Sequence, residues 1–391
     1  MATFIGQTLG GAVNLVQNTV NRRILPLNIE SRKNPMMSRF EVSLQRELPG
    51  RWVIDAAYIG SVGIDLTALD NINPIPRQYL STDIGRDSAT VARLEGNVTN
   101  PFRGLPAATG SGLFTQQLVQ RQQLLRPFPQ FLDTFVVRNN GRNSFHSGQL
   151  RVERRMSRGL TAAGSYVFSK QLDRITKLNA VDSGYERRLG DADTPHRVTL
   201  SGLYEMPFGR GRKWLAHPGR LADGIMGGWQ VGYIYGFQVG NPLTLDNIFF
   251  DGDPGQLRMN IDGRTVDNVF AADLRTSGFY YRDASMQSNG VLDSNRQIRD
   301  PRINLAHNLR SLSSRLPNLR GDTLNNIDVS LIKNTSINER FRLQLRAEIL
   351  NVTNHVFFGG LDFNPRNASF GRLTEQVNLP REWQLGLKLL F

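Results

Sequence analysis

The stretch Trp383-Gln-Leu-Gly-Leu-Lys-Leu-Leu-Phe391 constrains this chain more than any other. Read as a strand, it puts Trp383, Leu385, Leu387, Leu389 and Phe391 on one face and Gln384, Gly386 and Lys388 on the other. A soluble chain seldom ends in a fully apolar strand face, because termini fray into water. A strand of an outer-membrane barrel has the opposite need: alternate residues meet lipid, and an aromatic sits at the interface. The pattern therefore constrains the solvent as well as the secondary structure. Outer-membrane lipid is the expected surrounding, and this terminal strand, with Phe391 as its end, is expected to be the recognition element for the barrel-assembly machinery.

The same period of two recurs upstream. Phe40, Val42 and Leu44 alternate with Glu41, Ser43 and Gln45, turn at Pro49-Gly50, and resume at Trp52, Ile54, Ala56 and Tyr58. A second hairpin runs from Gly148, Leu150 and Val152 through Met156-Ser-Arg-Gly159 to Leu160, Ala162, Gly164, Tyr166 and Phe168. Residues 198–204, 229–237, and a third hairpin from 327–331 to 343–349 across the turn 334–340 follow the same rule. About ten segments of roughly 9–12 residues match the length that a tilted barrel strand needs. Connections also sort by length. Those at Pro49-Gly50, 156–159 and 334–340 are short, whereas 70–130, 170–195 and 241–323 are long; 207–228 is a longer connection on the short side. Outer-membrane barrels keep short turns on the periplasmic side and long loops outside. The fold expected is all-β: an antiparallel transmembrane β-barrel, partial at about ten strands, with long extracellular loops. Residues 38–391 form the barrel region and 1–37 stay without an assignment. Residues 113–126, rich in Gln, read as a helix within one of the long loops.

Composition narrows the function. No run of 18 apolar residues appears, which excludes a transmembrane helix and leaves a barrel open. The 391 residues contain no cysteine, so neither a disulfide framework nor a thiolate metal site is available. No secretory signal is visible at Met1-Ala-Thr-Phe-Ile-Gly6. The net charge of +13 invites a nucleic-acid reading. The basic residues are spread through turns such as Arg154, Arg155, Arg158 and Arg210, Arg212, Lys213, however, and form neither a block nor a helical stripe. Contact with an anionic surface such as lipopolysaccharide accounts for the excess at least as well, and nucleic acid is not the expected partner.

Catalytic and metal constellations are lacking. The five histidines (His146, His196, His217, His307, His355) are scattered without ligand spacing, and no Gly-x-Ser-x-Gly elbow occurs. Gly209-Arg-Gly211 reads as a turn. Asp251-Gly-Asp253-Pro-Gly255 and Asp191-Ala-Asp193 could offer carboxylates to Ca²⁺, but neither has EF-hand spacing and both read first as turns. No enzyme activity, cofactor or metal is expected. The best functional candidates are the polar strand faces: Arg151 and Glu153, with Arg342, Gln344, Arg346 and Glu348, are expected to line a lumen. There they would pair across strands or hold a plug, rather than form a substrate site. Trp229, Tyr233, Tyr235, Trp383 and Phe391 could stack on sugars but are expected at girdle and lipid-facing positions.

Specific words complete the reading. Leu124-Leu-Arg-Pro-Phe-Pro-Gln-Phe131, Phe145-His-Ser-Gly-Gln-Leu-Arg-Val-Glu-Arg154, Gly164-Ser-Tyr-Val-Phe-Ser-Lys170 and Pro195-His-Arg-Val-Thr-Leu-Ser-Gly202 resemble TonB-dependent outer-membrane receptors of the Oar-like type. So do Gly227-Gly-Trp-Gln230 and Arg342-Leu-Gln-Leu-Arg-Ala-Glu-Ile-Leu-Asn-Val-Thr-Asn354. The resemblance runs in order from about residue 34 to Phe391 and is greatest to the carboxy-terminal part of such a barrel. It implies uptake or surface binding of a bulky, unidentified solute, by passage through a plugged barrel opened with energy from the inner membrane. No plug or TonB-contacting box is identifiable, so TonB is expected to act only through a plug absent from this chain. Two other readings stand beside it: a standalone porin-like or adhesive barrel, and a soluble, basic, β-rich binding protein.

Overall fold

A computed structural model of the chain describes residues 24–27, 33–83, 85–104, 112–215, 217, 219–244, 305–338, 340–360, 373 and 375–391. Nine long strands follow one another in both sequence and space: β1 (Met36–Leu48), β2 (Trp52–Asn71), β3 (Thr134–Ser157), β4 (Leu160–Arg174), β5 (His196–Glu205), β6 (Trp229–Gln238), β7 (Leu324–Ser336), β8 (Arg342–Leu350) and β9 (Glu382–Leu390). Each pairs antiparallel with the next. Two short strands join the sheet, Ile24–Leu27 parallel to β3 and Arg188–Leu189 against β4. The sheet is open: β1 and β9 each have one strand neighbour among the described residues.

The register holds the alternation across all nine strands. Leu44 lies opposite Ala56, Ala56 opposite Leu150, Leu150 opposite Tyr166, and Tyr166 opposite Val198. Val198 then faces Phe237; one rung away Tyr235 faces Ile327, and Val329, Ile349 and Trp383 continue the row. Because the side-chain period is two, a slip of one residue in any pair would have sent half the apolar set to the other face. The result is one apolar face and one polar face.

Burial tells what that apolar face meets. The largest fully buried side chains, Leu94, Leu113, Leu319, Asn73 and Asp193, all lie outside the nine strands. Leu44, Trp383, Leu385, Leu387 and Phe391 are 67–91% exposed. A water-soluble sheet covers such a face with a second layer, since a large continuous apolar patch is costly in water. Here it is left for lipid.

Connections separate by side as expected. Positions 49–51, 158–159 and 337–341 are tight and 206–228 is the longer exception, whereas the strand ends that 72–133, 175–195, 239–323 and 351–381 join are at the opposite end of the sheet. The turns follow local chemistry. Arg158 (φ 51°) and Gly159 (φ 78°) form a two-residue hairpin loop with both φ positive, the combination that fits strand twist. At 337–341 the Asn338 Oδ1 accepts from the amides of Arg340 and Phe341, at 2.9 and 2.8 Å. Gly228 (φ 74°) enters β6 where a Cβ would sit 2.1 Å from the Asn334 carbonyl, so no other residue fits.

Two expectations change. Residues 113–126 are not one helix: Gly112–Thr115 and Arg121–Leu125 are single turns separated by the strand Leu118–Gln120, which pairs with Asn97–Thr99. Asn100 is the cause. Its Nδ2 donates to the carbonyls of Leu113 and Gln116, and its backbone N–H to Gln117, so these acceptors are taken from a continuing helix. The second change is length, since β2 has 20 residues and β3 has 24. β2 runs two residues into the 70–130 connection, and β3 begins at Thr134, well before the strand read from Gly148.

Candidate functional site

The polar face gathers every residue predicted for it, in two places. Arg151 and Glu153 lie on β3; Arg342, Gln344, Arg346 and Glu348 lie on β8, with β4 to β7 between them. The register sets Glu348 opposite Ser330 and Gln384, and Gln344 opposite Asn334 and Lys388. Ion pairing across strands is not what holds them. Arg346 bonds Glu348 two residues along its own strand at 2.8 Å, Arg151 bonds Glu153 in the same way, and Arg39 lies 3.8 Å from Glu41. The rungs beside Arg346 are Ile332 and Gly386, which offer no carboxylate, so its guanidinium turns along the strand. Gln344 does reach across, its Nε2 2.9 Å from Asn334 Oδ1. These pairs are water-exposed and contribute about 0–1 kcal/mol each, which makes the face a solvated polar wall.

The aromatics considered for sugar stacking, Trp229, Tyr233, Tyr235, Trp383 and Phe391, fall on the opposite, apolar face with the lipid-facing set. Gly209-Arg-Gly211 is a tight turn, with Arg212 N–H bonded to the Gly209 carbonyl at 3.0 Å. Asp191 and Asp193 are arginine acceptors: Asp191 takes the Arg315 guanidinium and Asp193 that of Arg320, 2.6 Å away. Asp251 to Gly255 lie outside the described residues. No cluster of three or more His, Asp or Glu side chains that could hold a metal occurs among the described residues.

Sequence reading missed the second feature, a cap at the long-connection end. The segment 305–323 runs across the connections 72–133 and 175–195 and fastens both. His307 meets Glu95 at 3.1 Å, and Asn308 Nδ2 donates to the Asp83 and Gly85 carbonyls. Asn179 and Arg310 are joined by two hydrogen bonds. Glu186 accepts from the Ser313 hydroxyl and from the Ser314 N–H and hydroxyl, while Arg315 donates to the Leu189 carbonyl at 2.7 Å. Burial raises the Glu186 carboxyl, but the Ser313 and Ser314 hydrogen bonds, with Arg188 nearby, outweigh it and hold the group below its ordinary value. Burial, with Asp70 beside it, pushes the Tyr185 phenol up to about 12. No pattern within 305–323 signals it, because the acceptors for Arg315 and Arg320 lie 124 and 127 residues away in the chain.

Beneath the cap, Asn71, Ile75, Arg126, Asn179, Asn308 and Arg310 help line a cleft of about 410 Å³, within the range of small-molecule sites. Two of its buried polar atoms, Arg126 Nε and Asn308 Oδ1, have no hydrogen-bond partner among the described residues. An unpaired buried donor and acceptor in one cleft invite a ligand that supplies both. At the other end of the sheet a wider recess of about 1180 Å³ is lined by Arg210, Arg212, Arg340, Arg342 and Phe391, among others.

A family model described as outer membrane beta barrel domain matches residues 10–384. No curated protein matches the sequence. Among solved structures, the outer membrane transporter YddB from Escherichia coli aligns at 13% identity and a TM-score of 0.39, over 95% of this chain and 34% of that one. The FrpB iron transporter from Neisseria meningitidis aligns at 11% and 0.39, over 97% and 34%. FpvA of P. aeruginosa, in complex with a heterologous pyoverdine and iron, aligns at 10% and 0.36, over 90% and 27%. The chain spans about a third or less of the length of these structures.

Proposed function

Given that the chain belongs to the outer membrane beta barrel domain family, and so to the bacterial outer membrane, we propose that it forms wall and external loops of a TonB-dependent receptor of the Oar-like type. The portion represented would be the carboxy-terminal part of the barrel, and the activity uptake or surface binding of a bulky solute. The observation that carries this reading is a polar face continuous over nine strands and capped at one end by side-chain-fastened loops over a cleft. A solute would be captured at the cap, in part through Arg126 and Asn308. It would then move along a wall where Arg151–Glu153 and Arg346–Glu348 are paired along their strands, and where these four residues, with Arg342 and Gln344, face the lumen. Energy would arrive from TonB through a plug supplied outside this sequence. The apolar terminal strand, ending at Phe391, would engage the barrel-assembly machinery.

A standalone porin-like or adhesive barrel is the competing reading, favoured by the exposed, solvated character of the polar pairs. Accumulation of a panel of labelled bulky solutes, in cells with and without the gene, separates the two. The receptor reading expects at least one solute to be lost on deletion and its uptake to stop with a protonophore. Uptake lost on deletion but insensitive to the protonophore would favour the porin-like barrel, and accumulation unchanged for every solute would remove the transport role.

A further inference from the structure

The apolar face carries charge at only a few levels, and their spacing is informative. On β3 its outward residues run Arg154, Val152, Leu150, Gly148, His146, Ser144 and Arg142. Arg154 lies at the short-turn end with its guanidinium 5.4 Å over the Trp52 ring, and Lys333 sits 5.6 Å over Trp229 in the same way. Arg142 is twelve positions further along β3. At ~3.3 Å per residue and a tilt near 40°, that is roughly 30 Å along the membrane normal, about one hydrocarbon core.

At this second level the cations are arranged unlike those at the first. Arg142 lies directly opposite Arg174 on β4, and Lys170 directly opposite His146. All four side chains are exposed, and Arg142, Lys170 and Arg174 have no ion-pair partner among the described residues. Asp65, in the adjoining part of β2, pairs with Lys33, and Asp173 is on the other face of β4. Like charges facing each other across two strands destabilise a sheet. Just below them runs a row of rings. Tyr58 hydroxyl meets His146 Nδ1 at 2.7 Å, Tyr166 hydroxyl meets His196 Nδ1 at 2.9 Å, and Phe168 packs 5.3 Å from His196. Amphipathic rings of this kind sit at the level of lipid headgroups.

We propose that Arg142, Lys170 and Arg174, with His146 beside them, form a binding site for the phosphates of a phosphorylated glycolipid in the outer leaflet. The repulsion built into the facing arginines is relieved by a multiply charged phosphate, which two guanidinia can grip with paired N–H donors. The aromatic row takes the sugar and upper acyl region. The site is at the long-loop end, which in outer-membrane barrels faces outward, and it rests on the membrane placement alone, independent of any transported solute.

The test uses the purified full chain in detergent and native mass spectrometry, with diphosphoryl lipid A, its dephosphorylated form, phosphatidylglycerol and inorganic phosphate as probes. Diphosphoryl lipid A should be retained at least tenfold more strongly than the dephosphorylated lipid, and inorganic phosphate should not displace it. The triple variant R142Q/K170Q/R174Q should lose that preference, whereas R154Q, at the short-turn level, should keep it. Equal retention of the two lipid A forms by the unaltered protein overturns the proposal, whether or not the triple variant folds. Equally strong binding of phosphatidylglycerol, displacement by inorganic phosphate, or an undiminished preference in a folded triple variant also overturns it.

Discussion

The strand wall and the loop cap solve opposite problems with different interactions. In the wall, backbone ladders do the binding, and the side chains are free to suit two solvents: Leu343, Leu345, Ala347 and Ile349 on one side, Arg342, Gln344, Arg346 and Glu348 on the other. In the cap there is little ladder to share, so side chains bind backbone carbonyls and amides directly. Asn73 alone donates to the carbonyls of Phe128, Phe131 and Leu132 and accepts from the Phe128 amide. The wall is therefore tolerant at any one side chain provided its polarity suits the face, while the cap depends on single residues.

Breaking a buried cap residue should have the largest effect. Asp193 is 2% exposed, takes the Arg320 guanidinium and accepts the Gln171 amide at 2.6 Å. Asp193→Ala should destabilise the cap by about 3–5 kcal/mol, the cost of leaving a buried cation unpaired. Hydrogen exchange should show faster exchange across 305–323 with no change in the β7–β8 ladder. The wall is sharpened by a matched pair. Ile349→Arg, on the lipid side and four residues beyond the rung that Leu345 shares with Lys333, should cost about 2–4 kcal/mol of folding stability near mid-membrane, and Gln344→Arg, on the water side of the same strand, almost nothing; urea refolding into vesicles measures both. Acid gives the smallest and most local effect. Glu186 is held below its ordinary 4.5 in the folded chain, so its contribution is present above that pH and is lost as pH falls through the lowered folded value. Proteolysis of the 305–323 segment should accelerate below pH 4.5 in the unaltered protein and much less in Glu186→Gln.

The wall was legible in the sequence because a two-residue period is written into it directly. Strands β1, β4, β8 and β9 could be read from their alternation, and the short turns from Pro49-Gly50 and Arg158-Gly159. The first half of β3 could not. Arg138-Asn-Asn-Gly-Arg-Asn-Ser144 has no apolar alternation, and it is extended because β2 and β4 supply partners on both sides. Residues 113–126 were misread because the competing donor for their carbonyls, Asn100, lies outside the segment. The polar residues of the wall share one strand face, as their alternation indicates, but their partners were not legible, since the choice between pairing along and across strands depends on which residues occupy the neighbouring rungs. The cap was invisible for a similar reason: each of its bonds joins segments far apart in the chain, such as Arg320 to Asp193 and Asn308 to Asp83.

The central claim is that one face of this sheet meets lipid and the other water. Spin labels placed singly at each position from 342 to 350, on the full chain folded in vesicles, test it through collision with lipid-soluble oxygen and a water-soluble nickel chelate. The account predicts strict alternation, with oxygen favoured at 343, 345, 347 and 349 and the chelate at 342, 344, 346 and 348. Uniform access to the chelate at all nine positions, or an alternation displaced by one residue, would contradict it.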